Sequence, residues 1–399
     1  MDRQAVDEQT PAAVRSGDWS WPWWPIVPIY PYGKRRTLRQ EVISDRMWTF
    51  EQLQGIFYVV VPIRMTVVRL DAGGLLVYAP VAPTRECLGL MQDLIDRHGD
   101  VKYIVLPTVS GVEHKVFAAP FARKFPNAQV YVAKHQWSYP LDLPLSWLGF
   151  PRKRTHLLPD NSADAPFADE FDYATLGPIS LGLGPFEEAV LFHKDSRTLL
   201  VTDTIVSIPA QPPAILQLDP FPLLFHARDR VSDCLEDTAD NRRKGWERIA
   251  LFSFYFRPAA LETLSVGQCL KAAFNASSRS AKNYFGLLPW QWRDDWRRSF
   301  EALRGNGRMF VAPILQRLIL NRDSQLTLDW ADTVAQWDFE RIIPCHLDSP
   351  IATTPTEFRQ AFDFLAAGTA GGALPEEDFG LLQDLDETLS KRGITPPRS

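Results

Sequence analysis

Residues 103–114 read YIVLPTVSGVEH, a short apolar run followed closely by polar residues. The run ends at Leu106, and its β-branched and aromatic residues predict a buried strand. Glu113 and His114, which can both bind a metal ion, come just after it. Loops at the carboxyl ends of strands carry the functional groups of α/β proteins, so this stretch predicts an α/β fold with a site at the strand ends.

Two later stretches have the same pattern. TLLVTD at 198–203 ends in Asp203, and RIIPCH at 341–346 ends in His346. A single His or Asp after a strand is more often a cap or a surface residue, but parallel strands that end together bring distant residues to one crevice. We therefore expect Glu113, His114, Asp203 and His346 to converge.

Two imidazoles and two carboxylates form a sound ligand set for one Zn²⁺, Fe²⁺ or Mn²⁺ ion. Glu113 and Asp203 are the candidate catalytic residues; Glu113 would act as a ligand, as an orienting group or as a general base. Cys345 precedes His346, and its side chain should point to the opposite side of an extended segment. The alternative is that the four residues form a hydrogen-bonded or salt-bridged cluster that binds no metal.

Patterns on either side of these stretches predict the organisation of the chain. Thr84 can cap a helix that Gly99 ends, so the middle of the chain is interpreted as alternating strands and helices. The predicted domains are a disordered tail (1–17), a Trp/Pro-rich extended arm (18–47), the main domain (48–351) with a mainly helical insertion (209–338), and a C-terminal helix with a polar tail (352–399). The prolines of the arm forbid a helix, and its rings either pack across the domain or contact a membrane surface.

Composition limits the class of protein. Of 399 residues, 45% are hydrophobic and 23% are charged, which is enough apolar material for a folded core. The net charge of −5 argues against a nucleic-acid partner. The four cysteines are scattered, and no apolar stretch approaches the roughly 20 residues of a membrane span. The acidic start differs from a secretory signal, so we expect a cytoplasmic location.

The three stretches together resemble the metallo-β-lactamase superfamily. In the family motif T-H-x-H-x-D-H, Thr108 matches the first position, Glu113 stands at the Asp and His114 matches the last His. Asp203 resembles the bridging Asp of the family, and His346 resembles its C-terminal ligand. The resemblance implies an αββα sandwich of metallo-β-lactamase type.

The departures from the motif concern one metal site. The first-site histidines would fall on Val109, Gly111 and a position near Gly184, where no histidine stands. Longer strings such as SWPWWPIVPIYPYGKRR and LLFHARDR resemble a narrower, uncharacterised group of cyanobacterial and chloroplast proteins. The resemblance thus implies a degenerate first site and one retained metal position.

The predicted function is that of a mononuclear metal-dependent hydrolase-like protein with an unknown small molecule or protein as its substrate or partner. An ion at this position would lower the pKa of a bound water toward about 7. His226 and Arg228 are candidate substrate-binding residues, because a guanidinium suits an anion. The alternative is a catalytically inactive binding or scaffold protein. Of the other histidines, we expect His193 at the surface, and we identify no partner for His98, His135 and His156.

Overall fold

The computed structural model describes residues 16–25, 27–109, 113–138, 140–366 and 374–396. The first half of the chain forms a seven-stranded sheet in which the strands lie in chain order. The strands are β1 (Leu38–Ile43), β2 (Met47–Ile56), β3 (Val59–Arg69), β4 (Leu75–Tyr78), β5 (Val101–Leu106), β6 (Gln129–Val132) and β7 (Thr155–Leu157). β1 to β4 pair antiparallel, whereas β4 to β7 pair parallel.

Two helices make the crossovers that parallel neighbours require, α1 (Arg85–His98) between β4 and β5 and α2 (Lys115–Ala122) between β5 and β6. Thr84 caps α1 by accepting the backbone N–H of Cys87, and the helix ends at Gly99, which adopts a positive φ. The predicted bounds of this helix are therefore confirmed.

The second half supplies the other strands, which are β8 (Phe171–Ser180), β9 (Pro185–His193), β10 (Thr198–Val201), β11 (Leu261–Thr263), β12 (Trp290–Trp292), β13 (Arg341–Pro344) and β14 (Ile351–Ala352). Five of them form a sheet in the order β14-β13-β10-β9-β8, and β11 pairs with β12. Within the five-stranded sheet β10 and β13 run parallel, and the other described pairs are antiparallel.

The remaining helices lie in the second half of the chain. They are α3 (Ala214–Gln217), α4 (Phe221–Ala227), α5 (Ala239–Tyr255), α6 (Val266–Ala273), α7 (Trp296–Arg304), α8 (Pro313–Leu318), α9 (Ser324–Val334), α10 (Pro355–Gln360), α11 (Asp363–Ala366) and α12 (Gly380–Lys391). α3 to α9, together with β11 and β12, lie between β10 and β13, which is where the sequence predicts a mainly helical insertion. The limits of that insertion stay a prediction.

Three apolar clusters define the layers. The cluster between the sheets joins residues such as Val68 of β3 to Leu191 of β9. A second cluster joins the outer face of the first sheet to Met91 of α1 and its neighbours. The third joins the outer face of the second sheet to the later helices, for example through Trp330 of α9. The order helix, sheet, sheet, helix confirms the predicted αββα sandwich.

The Trp/Pro-rich arm packs on the domain and is only partly irregular. Its last part, Leu38–Ile43, is β1, an edge strand that the prediction of an extended arm missed. Trp21 is buried with its ring centroid 5.3 Å from that of Phe117, whereas Trp23 and Trp24 stay exposed. The arm thus stabilises the sheet and leaves some rings at the surface.

The structure describes little of the predicted N-terminal tail and most of the predicted C-terminal part. Of the predicted disordered tail, residues 1–15 are not described, and Ser16–Trp19 forms a 3₁₀ turn. After residue 351 the chain forms α10, α11 and α12, so its described part has more helix than expected. Every helix in the described ranges is too short or too polar to cross a bilayer.

Candidate metal centre

The candidate site lies where β10 and β13 end side by side. The two strands pair parallel, with Val201 opposite Pro344. The residues two positions further along, Asp203 and His346, therefore leave the sheet at the same edge. The loop after β5 of the other sheet brings Glu113 to this edge, where its side chain reaches His346.

Three of the four predicted ligands meet directly. Glu113, Asp203 and His346 each offer one ligand atom, and these atoms lie within 4.8 Å of one another. Nε2 of His346 is 3.0 Å from Oε2 of Glu113 and 3.0 Å from Oδ1 of Asp203. The side chains of Glu113 and Asp203 are 23% and 17% exposed, so the cluster opens slightly to solvent.

His114, the fourth predicted ligand, lies beside the three but is not among the residues whose ligand atoms meet within 4.8 Å. It precedes α2 and is fully buried, and its ring centroid is 6.4 Å from that of His346. Nδ1 lies 3.2 Å from the Pro80 carbonyl and donates to it, which leaves Nε2 with its lone pair free. Nε2 is buried and has no hydrogen-bond partner among the described residues. Burial, together with His346, lowers the pKa of His114 to about 4, so the ring is neutral, as a metal ligand must be.

The surroundings of His346 favour the doubly protonated ring. Nδ1 lies 3.0 Å from the carbonyl of Pro62, and Nε2 faces the two carboxylates, so both nitrogens meet acceptors. Burial lowers the pKa of His346, but Glu113 and Asp203 outweigh burial and raise it well above its usual value. An ion at this position would take the place of the Nε2 proton.

Glu188 fixes the loop that carries Asp203. Its buried carboxylate accepts the backbone N–H groups of Thr202, Asp203 and Thr204 at 2.7, 3.1 and 3.0 Å. The hydroxyl of Thr204 donates to it as well. Burial and the nearby Asp203 raise the pKa of Glu188 to about 7. The sequence analysis missed Glu188, although a carboxylate inside the apolar run of β9 was a signal that it could have used.

Arg64 fixes the loop that carries His346. It lies on β3, is almost fully buried, and donates to the carbonyls of Pro344 and Leu347 on either side of the histidine. Its third partner is the carboxylate of Glu51. The side chain of Cys345 packs between the sheets, as expected, and burial raises the pKa of its thiol. The His346 loop is therefore held by groups that sequence reasoning did not assign to the site.

The positions of the first-site histidines of the resembled family carry no donor in the described part of the chain. Val109 is a buried apolar residue, and Gly111 lies outside the described residues. Gly184 has a positive φ and packs against the ring of Trp137, where an added Cβ would lie 2.2 Å from a ring atom.

The candidate substrate-binding residues lie elsewhere. His226 is buried, and its Nε2 donates to the carbonyl of Phe57, while Arg228 lies over the ring of Phe225. His346 contacts Pro62 inside β3, whereas His226 contacts Phe57 in the turn before β3. A role for His226 and Arg228 in binding substrate stays a prediction that this placement does not favour.

The expectations for the other histidines are wrong. His98 stacks on Trp48, and Nε2 of His156 lies 3.0 Å from Oε1 of Gln129. His193 is fully buried at the end of β9, where Nδ1 lies 2.7 Å from the hydroxyl of Ser196. His135 does have a partner, because its Nδ1 hydrogen-bonds to the buried carboxylate of Glu187. That pair lines a solvent-open cavity of about 300 Å³. These errors arise because the partners are distant in sequence or lie in a turn.

Comparisons with known proteins place the chain in a family without a known function. No curated protein sequence matches it. The structure of DIM-1 metallo-beta-lactamase is 10% identical, with 84% of this chain and 98% of that chain covered and a TM-score of 0.36. The fragment 1–254 of putative diflavin flavoprotein A 5 from Nostoc sp. PCC 7120 is 9% identical, with 84% of this chain and 96% of that chain covered and a TM-score of 0.39. A metallo-beta-lactamase from Pontibacter korlensis is 16% identical, with 47% of this chain and 83% of that chain covered and a TM-score of 0.32. Likenesses of this size say nothing about ligand or activity. The family model described as "Domain of unknown function (DUF4336)" matches residues 44–364, and the chain belongs to this family.

Proposed function

We propose that this protein is a mononuclear metal-dependent hydrolase-like protein in which Glu113, His114, Asp203 and His346 hold one ion. The observation that carries the proposal is the meeting of three ligand atoms within 4.8 Å beside the buried, unpartnered Nε2 of His114. An unpartnered buried nitrogen costs free energy unless something binds it. The substrate is unknown.

The residues fit a single Zn²⁺, Fe²⁺ or Mn²⁺ ion, since two imidazoles and two carboxylates are donors that these ions accept. Such an ion would act as a Lewis acid and make a bound water easier to deprotonate. Glu188 holds Asp203 in place, and Arg64 holds the His346 loop. Glu113 is the most exposed of the three meeting side chains, which supports a role in accepting a proton from a water or substrate.

The proposal places the ion at the second metal position of the metallo-β-lactamase arrangement, which corresponds here to Glu113, His114, Asp203 and His346. The first metal position, which has lost its histidines, is treated as degenerate. The apolar Val109 and the ring packed on Gly184 support this assignment. The cyanobacterial or chloroplast lineage and the cytoplasmic location stay predictions from the sequence.

Elemental analysis of protein purified without added metal tests the proposal. We expect near one equivalent of a transition metal, and we expect it to be lost in His114→Ala and in Asp203→Ala. His156→Ala, which changes an exposed histidine paired with Gln129, is the control and should retain the metal. Absence of metal from the wild-type protein under metal-replete conditions would contradict the proposal.

One observation favours the alternative of a catalytically inactive binding or scaffold protein. His346 already hydrogen-bonds to both carboxylates, and this arrangement satisfies the three groups without an ion. In that case the exposed Trp23 and Trp24 of the arm would contact a partner or a membrane surface. The same elemental analysis separates the two functions, because the scaffold needs no metal.

A further inference from the structure

Five exposed apolar side chains gather on one surface, which we call the aromatic face. They come from three distant segments and are Trp24, Tyr32, Ile56, Phe57 and Phe285, with exposures between 39% and 65%. A chain of ring contacts at 5.4 to 6.0 Å links the segments. Its links are Trp24 to Tyr32, Tyr32 to Tyr30, Tyr30 to Tyr58, Tyr58 to Tyr284 and Tyr284 to Phe57. The arm, the β2–β3 turn and the 3₁₀ turn Ala281–Gly286 therefore pack together, with Tyr30 and Tyr58 buried between them.

The backbone of this surface is strained. Phe57 and Tyr58 at the tip of the β2–β3 hairpin have φ of 52° and 61°, and Tyr284 and Phe285 have φ of 48° and 57°. Bulky side chains rarely adopt such values, whereas Gly and Asn adopt them easily. Tyr58 and Tyr284 pack inward against other rings, whereas Phe57 and Phe285 stay exposed. The rings of Phe57 and Phe285 are thus held outward at a cost in stability, which is typical of a functional surface.

Helix α6 extends the apolar surface. Val266, Leu270 and Phe274 follow each other at intervals of four residues and are 77%, 54% and 75% exposed. The segment after the helix folds back on it: a Cβ added to Gly286 would lie 2.6 Å from Cβ of Ala276. α6 and the 3₁₀ turn are therefore neighbours, and Arg279, which lies over the ring of Phe274, links the end of the α6 stripe to the turn.

Cations predominate in the segment that carries α6 and the 3₁₀ turn. Residues 263–293 contain no Asp or Glu, although the whole chain has a net charge of −5. Lys271, Arg279 and Lys282 in this segment are exposed, and the Nζ of Lys282 lies 3.9 Å from the centroid of the Phe221 ring. The nearest carboxylate of the ring chain, Asp219, accepts the hydroxyl of Tyr30. The segment thus offers three exposed cations beside its apolar side chains, while Asp219 and Asp233 lie next to it on neighbouring segments.

We propose that the aromatic face and the α6 stripe dock the protein on a bilayer that contains anionic lipid. Rings at the tip of a hairpin and at a helix end can enter the boundary between headgroups and acyl chains, where aromatic residues are favoured. Lys271, Arg279 and Lys282 then lie at the level of the lipid phosphates. Because the rings project from a turn and a helix, a partner protein would need an apolar recess with acidic groups around it to receive them. A bilayer with anionic lipid receives projecting rings without such a recess. The proposal does not depend on the metal centre.

Flotation of the full chain with vesicles tests the proposal. We expect binding to vesicles of equal parts phosphatidylcholine and phosphatidylglycerol, and weaker binding to phosphatidylcholine alone. In Phe57→Asn/Phe285→Asn we expect the affinity to fall by about tenfold or more for each ring, with unchanged or higher thermal stability. Trp147→Asn, which removes a 76% exposed ring elsewhere, is the control and should bind as the wild type does.

Charge reversal tests the contribution of these cations separately. Lys271→Glu and Lys282→Glu should each weaken binding to the anionic vesicles about fivefold, and Lys153→Glu, in an exposed loop distant in sequence, should not. Absence of wild-type binding, or an equal effect of Trp147→Asn, would overturn the proposal. A dimer that Phe57→Asn/Phe285→Asn dissociates, without vesicle binding, would also overturn it and make the surface an interface between copies. Loss of metal in Asp203→Ala should leave vesicle binding unchanged.

Discussion

Glu188 and Arg64 fix the candidate ligands although neither is a ligand. The four candidate ligands could be selected from the sequence, because each follows an apolar run that marks a strand. The groups that hold them were not, since the contact of Glu188 with Thr202 to Thr204 and that of Arg64 with Pro344 exist only after the sheets form. Local sequence indicates where a strand ends but not which buried side chain lies beneath the loop.

Removal of Glu188 should destabilise the protein strongly. In Glu188→Ala three backbone N–H groups and one hydroxyl lose a buried acceptor, and we expect the free energy of unfolding to fall by about 2–4 kcal/mol. Chemical denaturation measures the change. Glu262→Ala, at an exposed position, is the control. A loss no larger than that of the control would show that Glu188 does not hold the Asp203 loop.

His226 should make stability depend on pH. Burial, followed by Arg228 and Arg248, lowers its pKa to about 3 in the folded protein, against about 6.5 in the unfolded chain. The unfolded chain therefore binds more protons below pH ~6.5, so this contribution to stability is present above that pH and is lost as the pH falls toward 3.

The corresponding variant is His226→Gln, which retains a donor for the carbonyl of Phe57. Between pH 7 and pH 5 we expect the wild type to lose about 2 kcal/mol more stability than this variant does. Denaturation curves at several pH values measure the difference, with the exposed His156→Gln as control. Parallel pH profiles for wild type and His226→Gln would contradict the assignment.

Helices and strands differed in how well the sequence predicted them. α1 has both of its signals in the sequence, Thr84 at the start and Gly99 at the end. β1 has no such signal, because it follows a Pro-rich stretch, and it becomes a strand only by pairing with β2. Elements that depend on a neighbour for their conformation cannot be predicted from local propensity.

Two helix glycines should respond in opposite ways to the same substitution. Gly245 in α5 packs against α4, and an added Cβ would lie 1.8 Å from the carbonyl oxygen of Leu223, whereas Gly89 in α1 has open space around it. We expect Gly245→Ala to lower the free energy of unfolding by about 2–3 kcal/mol, because the helices must separate. Gly89→Ala should raise it by about 0.5–1 kcal/mol. Thermal unfolding measures both, and a stabilising Gly245→Ala would contradict the close packing of α4 on α5.

At the scale of the whole molecule, a buried ion pair connects the helical insertion to the C-terminal helix α12. The guanidinium of Arg322, between α8 and α9, donates to the carboxylate of Asp386 in α12, and both side chains are 2% exposed. The sequence analysis did not anticipate this contact, because an arginine and an aspartate 64 positions apart carry no signal of pairing.

Loss of the Asp386 carboxylate from this ion pair should destabilise the packing of α12 on the helical insertion. Asp386→Ala leaves a buried guanidinium without its carboxylate, and we expect a loss of about 3–5 kcal/mol in the free energy of unfolding. Asp384→Ala, on the exposed side of the same helix, should change it by less than about 0.5 kcal/mol. Equal stabilities of the two variants would mean that α12 does not depend on this pair.

Titration of the metal-free protein with Co²⁺, followed by visible absorption, tests most directly whether the four side chains form a metal site. We expect d–d bands that saturate at one equivalent, with no thiolate charge-transfer band, because Cys345 packs between the sheets. The bands should be absent in Asp203→Ala and in His346→Ala. A wild-type titration without saturable bands, or bands that persist in both variants, would contradict a metal site at Glu113, His114, Asp203 and His346.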